Sequence, residues 1–160
     1  VLFGLARSRM KLVLASNPVF PRTAQETRMG WAGIAPSHFD LFTHIQNMSF
    51  VKPNVGYYRQ ICDMLQLFPA SCLMVGNDPA ADVVAKQAGL KTYLTTDAAE
   101  AGYATLSFTA DTHGSTPLAA DADFVGPFSA LTAAVEALNA GDAGASALAG
   151  ISGGRLRPAV

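Results

Sequence analysis

The sequence predicts an α/β fold with a doubly wound parallel sheet. Short, continuous apolar runs such as 11–16 and 71–75 are typical of parallel strands, because helices cover both faces of such a sheet. Strands that alternate with helix-spaced segments indicate βαβ units. Half of the 160 residues are apolar, which is sufficient for one substantial core.

Five strands are expected, at Lys11–Ser16, Leu41–Ile45, Ser71–Val75, Lys91–Thr95 and Phe124–Val125. Four helices are expected, at 23–31, 52–68, 79–88 and 128–138. Thr23 is the expected N-cap of the first helix, because Glu26 follows at the capping-box spacing, and Trp31 is expected to pack that helix on the sheet. Gly89 is expected to close the third helix. The buried positions of the second helix follow three- and four-residue spacings, and they are Val55, Tyr58, Cys62, Leu65 and Phe68.

The chain is expected to form one core domain over residues 1–138, followed by a Gly- and Ala-rich flexible tail at 139–160. An irregular insertion is expected at 97–123. Residues 1–9 read as the end of a helix and the chain begins at Val1, so an N-terminal truncation is expected.

Composition restricts the class of partner and the compartment. The net charge of −1 gives no electrostatic reason to expect nucleic acid or a membrane surface as a partner, and no apolar run approaches the ~20 residues of a membrane span. Cys62 and Cys72 lie in apolar segments and are expected to be buried free thiols, which favours a reducing, cytoplasmic location.

Polar side chains stand where the predicted strands end. Ser16 and Asn17 follow the first strand, Lys52 lies in the loop after the second, and 76–78 follow the third, with Asp82 one helical turn later. Ligands of open parallel sheets bind outside the carboxyl ends of the strands. A hydroxyl and a lysine suit a phosphate, and carboxylates suit Mg²⁺, so a magnesium-dependent phosphate site is predicted at this edge.

Three segments at these strand ends, Leu-Ala-Ser-Asn-Pro, Lys-Pro-Asn and Val-Gly-Asn-Asp-Pro-Ala-Ala-Asp, resemble motifs II, III and IV of the haloacid dehalogenase (HAD) superfamily in order and in context. The resemblance covers roughly residues 5–138. It implies a Rossmann-like, HAD-type sheet, catalytic roles for Ser16 and Lys52, and contact of Ser16, Asn17 and Lys52 with the phosphoryl group. It also implies Mg²⁺ as the cofactor.

The resemblance allows more than one assignment of the metal ligands. Asp78 would coordinate Mg²⁺, and Asp82 would be a second ligand or would orient Lys52. The family commonly has Gly-Asp where this chain has Gly-Asn-Asp, so Asn77 could stand at the ligand position. Asp78 is favoured because a carboxylate suits a hard cation better than an amide does.

The family's nucleophile, the first Asp of an Asp-x-Asp motif, is missing, since no Asp precedes Ser16. The pair Asp121 and Asp123 precedes a strand instead of following one, so it is interpreted as structural. In the family, the strand that carries this motif lies at the centre of the sheet. Its absence predicts a sheet split in two, which would fold poorly alone or would receive the strand from another segment or chain.

The function implied by the resemblance is Mg²⁺-dependent hydrolysis of a small phosphorylated metabolite through an aspartyl-phosphate, with the nucleophile outside this chain. The chain as it stands is expected to be inactive. The alternative is a non-catalytic domain that binds a phosphate ligand or a partner chain. An exposed sheet edge offers a surface for association into an oligomer.

Overall fold

The computed structural model describes residues 10–97 and 121–139. The helix end predicted at 1–9, most of the insertion predicted at 97–123 and the tail predicted at 139–160, apart from Asn139, lie outside these residues. Among the described residues, no helix has the length and the apolar character that crossing a membrane requires.

The five predicted strands are present, and all of their pairings are parallel. β1 (Val13–Leu14) pairs with β2 (Leu41–Phe42), with Val13 opposite Leu41. The remaining strands form a separate sheet in the order β3-β4-β5, and they are β3 (Leu73–Gly76), β4 (Lys91–Thr95) and β5 (Phe124–Gly126). The predicted parallel sheet is therefore confirmed.

Helices connect the strands in the predicted order. The α-helices are α1 (Arg22–Trp31), α2 (Val55–Leu65), α3 (Pro79–Asp82) and α4 (Leu131–Asn139). Shorter 3₁₀ segments lie at Pro36–His38, Pro69–Ser71, Val83–Ala88 and Phe128–Ala130. Gly89 ends the segment after α3 with φ 93°, a left-handed conformation that glycine adopts without strain. The prediction that Gly89 closes this helical segment is therefore confirmed.

Apolar clusters cover both faces of the three-stranded sheet. On one face, Met74 of β3 packs with the buried residues of α2. On the other face, Leu73 and Val75 pack with Tyr93 and with Leu131 of α4. Neighbouring residues of β3 thus enter different clusters, because successive side chains of a strand point to opposite faces. Helices on both faces of a parallel sheet give the doubly wound arrangement that the sequence predicts.

Three local expectations are wrong. Pro21, not Thr23, is the N-cap of α1, and no side-chain hydrogen bond caps this end; Glu26 instead pairs with Arg22 at 2.8 Å. Trp31 is 81% exposed, so it does not pack α1 on the sheet. Phe68 is 83% exposed because α2 ends at Leu65, where the next residue, Gln66, adopts a left-handed conformation.

The sheet is split, as the missing central strand predicts. Among the described residues, no strand hydrogen-bonds both β1 and β3. Alternate backbone groups of β1 and β3 point away from their paired neighbours, because a strand exposes its hydrogen-bonding groups to both sides in turn. β1 and β3 are therefore edge strands that could each pair with a further parallel strand.

Candidate active site

Two buried hydroxyls hold the chain where β1 ends. The carbonyl oxygen of Ser16 accepts hydrogen bonds from Thr43 Oγ1 at 2.6 Å and from Tyr57 Oη at 2.9 Å. Thr43 follows β2, and Tyr57 lies in the first turn of α2, so three elements meet at this carbonyl. Burial raises the pKa of Tyr57, so the phenol stays protonated and can donate. The backbone of Ser16 and Asn17 is thereby fixed.

The loop that carries Lys52 is joined to the end of β1. The Lys52 N–H donates to Asn17 Oδ1 at 3.2 Å. Two residues later, Asn54 caps α2 by accepting from the Gly56 N–H at 2.7 Å, as its position before the helix requires. Lys52 is therefore held between a capped helix and the loop after β1.

The Lys52 side chain crosses to the three-stranded sheet. Its Nζ lies 2.6 Å from Asp82 Oδ1, and each of the two side chains is only 9% exposed. The same Nζ lies 5.7 Å from the centre of the Tyr57 ring, a favourable position for a cation over an aromatic face. This buried ion pair connects the loop after β2 with the end of β3.

The second carboxylate oxygen of Asp82 shapes the turn after β3. Oδ2 accepts from the N–H groups of Asn77 and Asp78, each at 3.1 Å. A Cβ at Gly76 would lie 2.0 Å from this oxygen, so only glycine leaves room for the carboxylate. Both oxygens of Asp82 are therefore engaged within the protein, which suits a residue that orients Lys52 more than it suits a metal ligand.

Asp78 is placed differently. Its Oδ1 caps α3 by accepting from the N–H groups of Ala80 and Ala81, at 3.0 and 3.3 Å. No hydrogen bond to its Oδ2 is seen among the described residues, so this oxygen is available to a cation. The Asn77 side chain is exposed beside it. Within the described part of the chain, no group of three or more His, Cys, Asp or Glu residues could hold a metal ion.

The residues singled out from the sequence converge around Lys52. Asn17 contacts its backbone, Asp82 contacts its side chain, and Asp82 in turn holds the backbone of Asn77 and Asp78. Ser16 lies next to Asn17 in the same loop. The hydroxyls that fix the Ser16 carbonyl were not predicted, because Tyr57 and Thr43 read as ordinary helix and strand residues. Gly76 was noted as part of the motif, but its steric role depends on where Asp82 folds back.

The pair Asp121 and Asp123 lies at the opposite ends of the strands. Asp123 precedes β5 and accepts from the N–H and the Oγ1 of Thr92, near the start of β4, at 2.9 and 3.0 Å. Lys86 approaches the same carboxylate at 3.1 Å. Its structural interpretation fits this position, far along the strands from the carboxyl ends that carry Ser16 and Asp78.

A family model described as HAD-hydrolase-like matches residues 50–123, which include Lys52, Asn77, Asp78 and Asp82. No curated protein matches the chain in sequence.

Several solved structures share the fold. A HAD phosphatase from Thermococcus onnurineus aligns over 84% of this chain and 54% of its own, with 19% identity and a TM-score of 0.59. A 2-haloacid dehalogenase from Pseudomonas syringae pv. Tomato DC3000 aligns over 84% and 50%, with 16% identity and a TM-score of 0.54. The magnesium-bound HAD-hydrolase YfnB from Bacillus subtilis aligns over 59% and 41%, with 22% identity and a TM-score of 0.51.

The chain spans about half the length of these solved relatives. The match to the family model includes two of the three motif segments, and the structural likeness extends the common fold beyond it. The chain is therefore similar to HAD-like hydrolases in sequence over residues 50–123, and it shares the fold of the solved HAD structures.

Proposed function

We propose that this chain supplies the phosphate-binding and magnesium-binding part of a phosphatase that acts on a small phosphorylated metabolite. The observation that carries the proposal is the buried Lys52–Asp82 pair at 2.6 Å, which fixes an ammonium group at the carboxyl ends of the strands. A cytoplasmic location is part of the same proposal.

Ser16, Asn17 and Lys52 are the proposed phosphoryl-binding and catalytic groups. The carbonyl of Ser16 is fixed by two hydroxyls, so the peptide plane that carries the following backbone N–H is held in a defined orientation. A positioned donor set costs little reorganisation when it meets a phosphoryl group. Lys52 adds a charge that offsets the charge of the transferring group.

Asp78 is the proposed protein ligand of Mg²⁺, in preference to Asn77 and Asp82. Its Oδ1 is held by the helix cap, which leaves its other oxygen for a cation, whereas both oxygens of Asp82 are engaged. One carboxylate does not complete a magnesium shell, so the remaining ligands would be waters, substrate and a carboxylate outside the described residues. When bound, Mg²⁺ shields the phosphoryl oxygens during attack.

The nucleophile of this proposal is an aspartate on a strand that pairs with the free edges of β1 and β3. Its carboxylate would attack phosphorus and release the leaving alcohol, and water would then hydrolyse the aspartyl-phosphate. The fixed Ser16 loop and the Lys52 ammonium would hold the phosphoryl group through both steps.

The experiment is to place a strand that ends in Asp-x-Asp ahead of Val1 and to assay hydrolysis of p-nitrophenyl phosphate with and without Mg²⁺. Turnover should require both the added aspartate and Mg²⁺. Lys52→Ala should lower kcat/KM by about 100-fold or more, as loss of a charge-stabilising group does. Lys91→Ala is the matched control, since Lys91 is exposed at the far end of β4 and should retain activity. An equally active Lys52→Ala enzyme would contradict the role of that lysine.

The second candidate is a domain that binds a phosphate ligand or a partner chain without turnover, and the split sheet favours it. It predicts that inorganic phosphate with Mg²⁺ raises the Tm of the chain, while the added Asp-x-Asp strand gives no hydrolysis. Turnover by the completed protein excludes it.

A further inference from the structure

Two cysteines face each other behind the site. Cys62 lies in the second half of α2, and Cys72 immediately precedes β3. Their Sγ atoms are 3.9 Å apart, and both residues are free thiols. Both contact the apolar cluster between α2 and the three-stranded sheet, so the pair lies where helix and sheet meet.

The separation is short enough for a covalent bond. A disulfide has an Sγ–Sγ length of about 2.05 Å, so the two atoms need to approach by roughly 1.9 Å in total. Rotation of the two side chains supplies movement of this size. The cysteines are ten positions apart in the chain, and the intervening turn already folds back to bring them together.

The two thiols differ in accessibility. Cys72 is half-buried, with its Sγ 3.5 Å from the carbonyl oxygen of Phe68, and it can be reached from solvent. Cys62 is 2% exposed, and burial, followed by the nearby Cys72 and Asp63, raises the pKa of its thiol to about 12. Cys72 is therefore the thiol that meets an external oxidant, and Cys62 is the thiol that follows.

We propose that Cys62 and Cys72 form a reversible intramolecular disulfide that ties α2 to the start of β3. With a small-molecule disulfide as oxidant, the Cys72 thiolate attacks one sulfur and releases one thiolate, which leaves a mixed disulfide on Cys72. The Cys62 sulfur then attacks the Cys72 sulfur and displaces the second thiolate, which carries away the proton of Cys62. The protein loses two electrons and two protons, and the oxidant becomes two thiols.

The tie has a direct relation to the site. α2 carries Tyr57, which holds the Ser16 carbonyl, and Tyr58, whose hydroxyl donates to the carbonyl of Ala81. β3 leads into Gly76 and Asp78. A bond between Cys62 and Cys72 therefore fixes the helix that supports the site to the strand that supports it.

The experiment treats the native chain with glutathione disulfide, alkylates the remaining thiols and digests with trypsin without reduction. Both cysteines lie in one tryptic peptide, Gln60–Lys86, so an internal disulfide lowers the mass of this peptide by two hydrogen atoms and leaves the protein monomeric. Dithiothreitol should restore both thiols. Retention of two alkylatable thiols in the wild type overturns the proposal.

Two variants distinguish the roles of the cysteines. In Cys62→Ala, the reaction should stop at glutathione bound to Cys72, because no second thiol displaces it. In Cys72→Ala, the buried Cys62 should remain unmodified in the folded protein. A wild type that accumulates the same mixed disulfide as Cys62→Ala overturns the proposal, and this comparison holds even where Cys72→Ala fails to fold.

Discussion

In both parts of the sheet, an aspartate at the amino-terminal end of a strand accepts a hydrogen bond from the neighbouring strand and pairs with a lysine. The two aspartates differ in how far they are exposed to solvent. In the pair β1–β2, Asp40 precedes β2 and accepts from the Leu12 N–H and from Lys11 Nζ, each at 2.9 Å. In the three-stranded sheet, Asp123 precedes β5 and accepts from the Thr92 N–H at 2.9 Å, with Lys86 at 3.1 Å. The Asp40 side chain is 34% exposed and that of Asp123 is 17% exposed.

The carboxyl ends of the two parts differ as well. The pair β1–β2 is only two residues long in each strand, and its end is held by hydroxyls from Thr43 and Tyr57. The three-stranded sheet has longer ladders and is covered by clusters on both faces. The candidate site contains residues from both parts. It therefore depends on the contacts that join the short β1–β2 pair, the weaker part, to the longer three-stranded sheet.

The largest expected effect comes from the contact that joins the two parts. Lys52→Met removes the ammonium and leaves the Asp82 carboxylate buried without its cation, which should lower the free energy of unfolding by about 3–5 kcal/mol. Urea unfolding followed by far-UV circular dichroism measures this change.

Lys86→Met is the matched control for this measurement, because it removes the lysine from a more exposed lysine–aspartate pair, Lys86–Asp123. Lys86 is 48% exposed, so its loss should cost less than about 1 kcal/mol. If the two variants lose equal stability, the Lys52–Asp82 pair does not join the two parts in the way described.

Much of the three-stranded sheet could be predicted from the sequence. The strand Lys91–Thr95 is predicted to the residue, because a Tyr- and Thr-containing run follows a glycine that ends the preceding segment. The end of α2 could not be predicted in this way. The apolar spacing continues to Phe68, while the helix stops because Gln66 turns left-handed, a conformation that the identity of Gln66 does not signal.

Some features of the candidate site also follow from the sequence, whereas others depend on the fold. The positions of Lys52, Asp78 and Asp82 at strand ends follow from motif order and strand context. The contact of Asp82 with Lys52 depends on how its carboxylate folds back over Gly76. The support of Ser16 by Tyr57 spans 41 positions in the chain, and local sequence carries no signal for a contact of that range.

A smaller effect is expected inside the weaker part. Thr43→Val removes one of the two hydroxyls on the Ser16 carbonyl and should cost about 1–2 kcal/mol. Hydrogen exchange should quicken at Asp40 and at position 43, whose amides pair β1 with β2, and should remain slow at Lys91. Thr27→Val is the control, since its exposed hydroxyl bonds only within α1. Equal acceleration at Lys91 would mean that the two parts unfold as one unit.

The smallest effects are expected from substitution of the two aspartates, Asp123 and Asp40. Burial alone would raise the pKa of Asp123, but hydrogen bonds from Thr92 and Lys86 outweigh it and hold that pKa below 3.8. A lowered carboxyl pKa contributes stability above the ordinary value, and this contribution is lost as the pH falls through the folded value. Asp123→Asn should therefore cost about 1 kcal/mol at pH 7 and progressively less as the pH falls below about 4. Asp40→Asn should show the same sign with a smaller amplitude, because the Asp40 carboxylate is more exposed. Thermal melts of both variants between pH 7 and pH 3 measure these losses of stability. A larger loss in Asp40→Asn than in Asp123→Asn would contradict the expectation that the more buried carboxylate contributes more to stability.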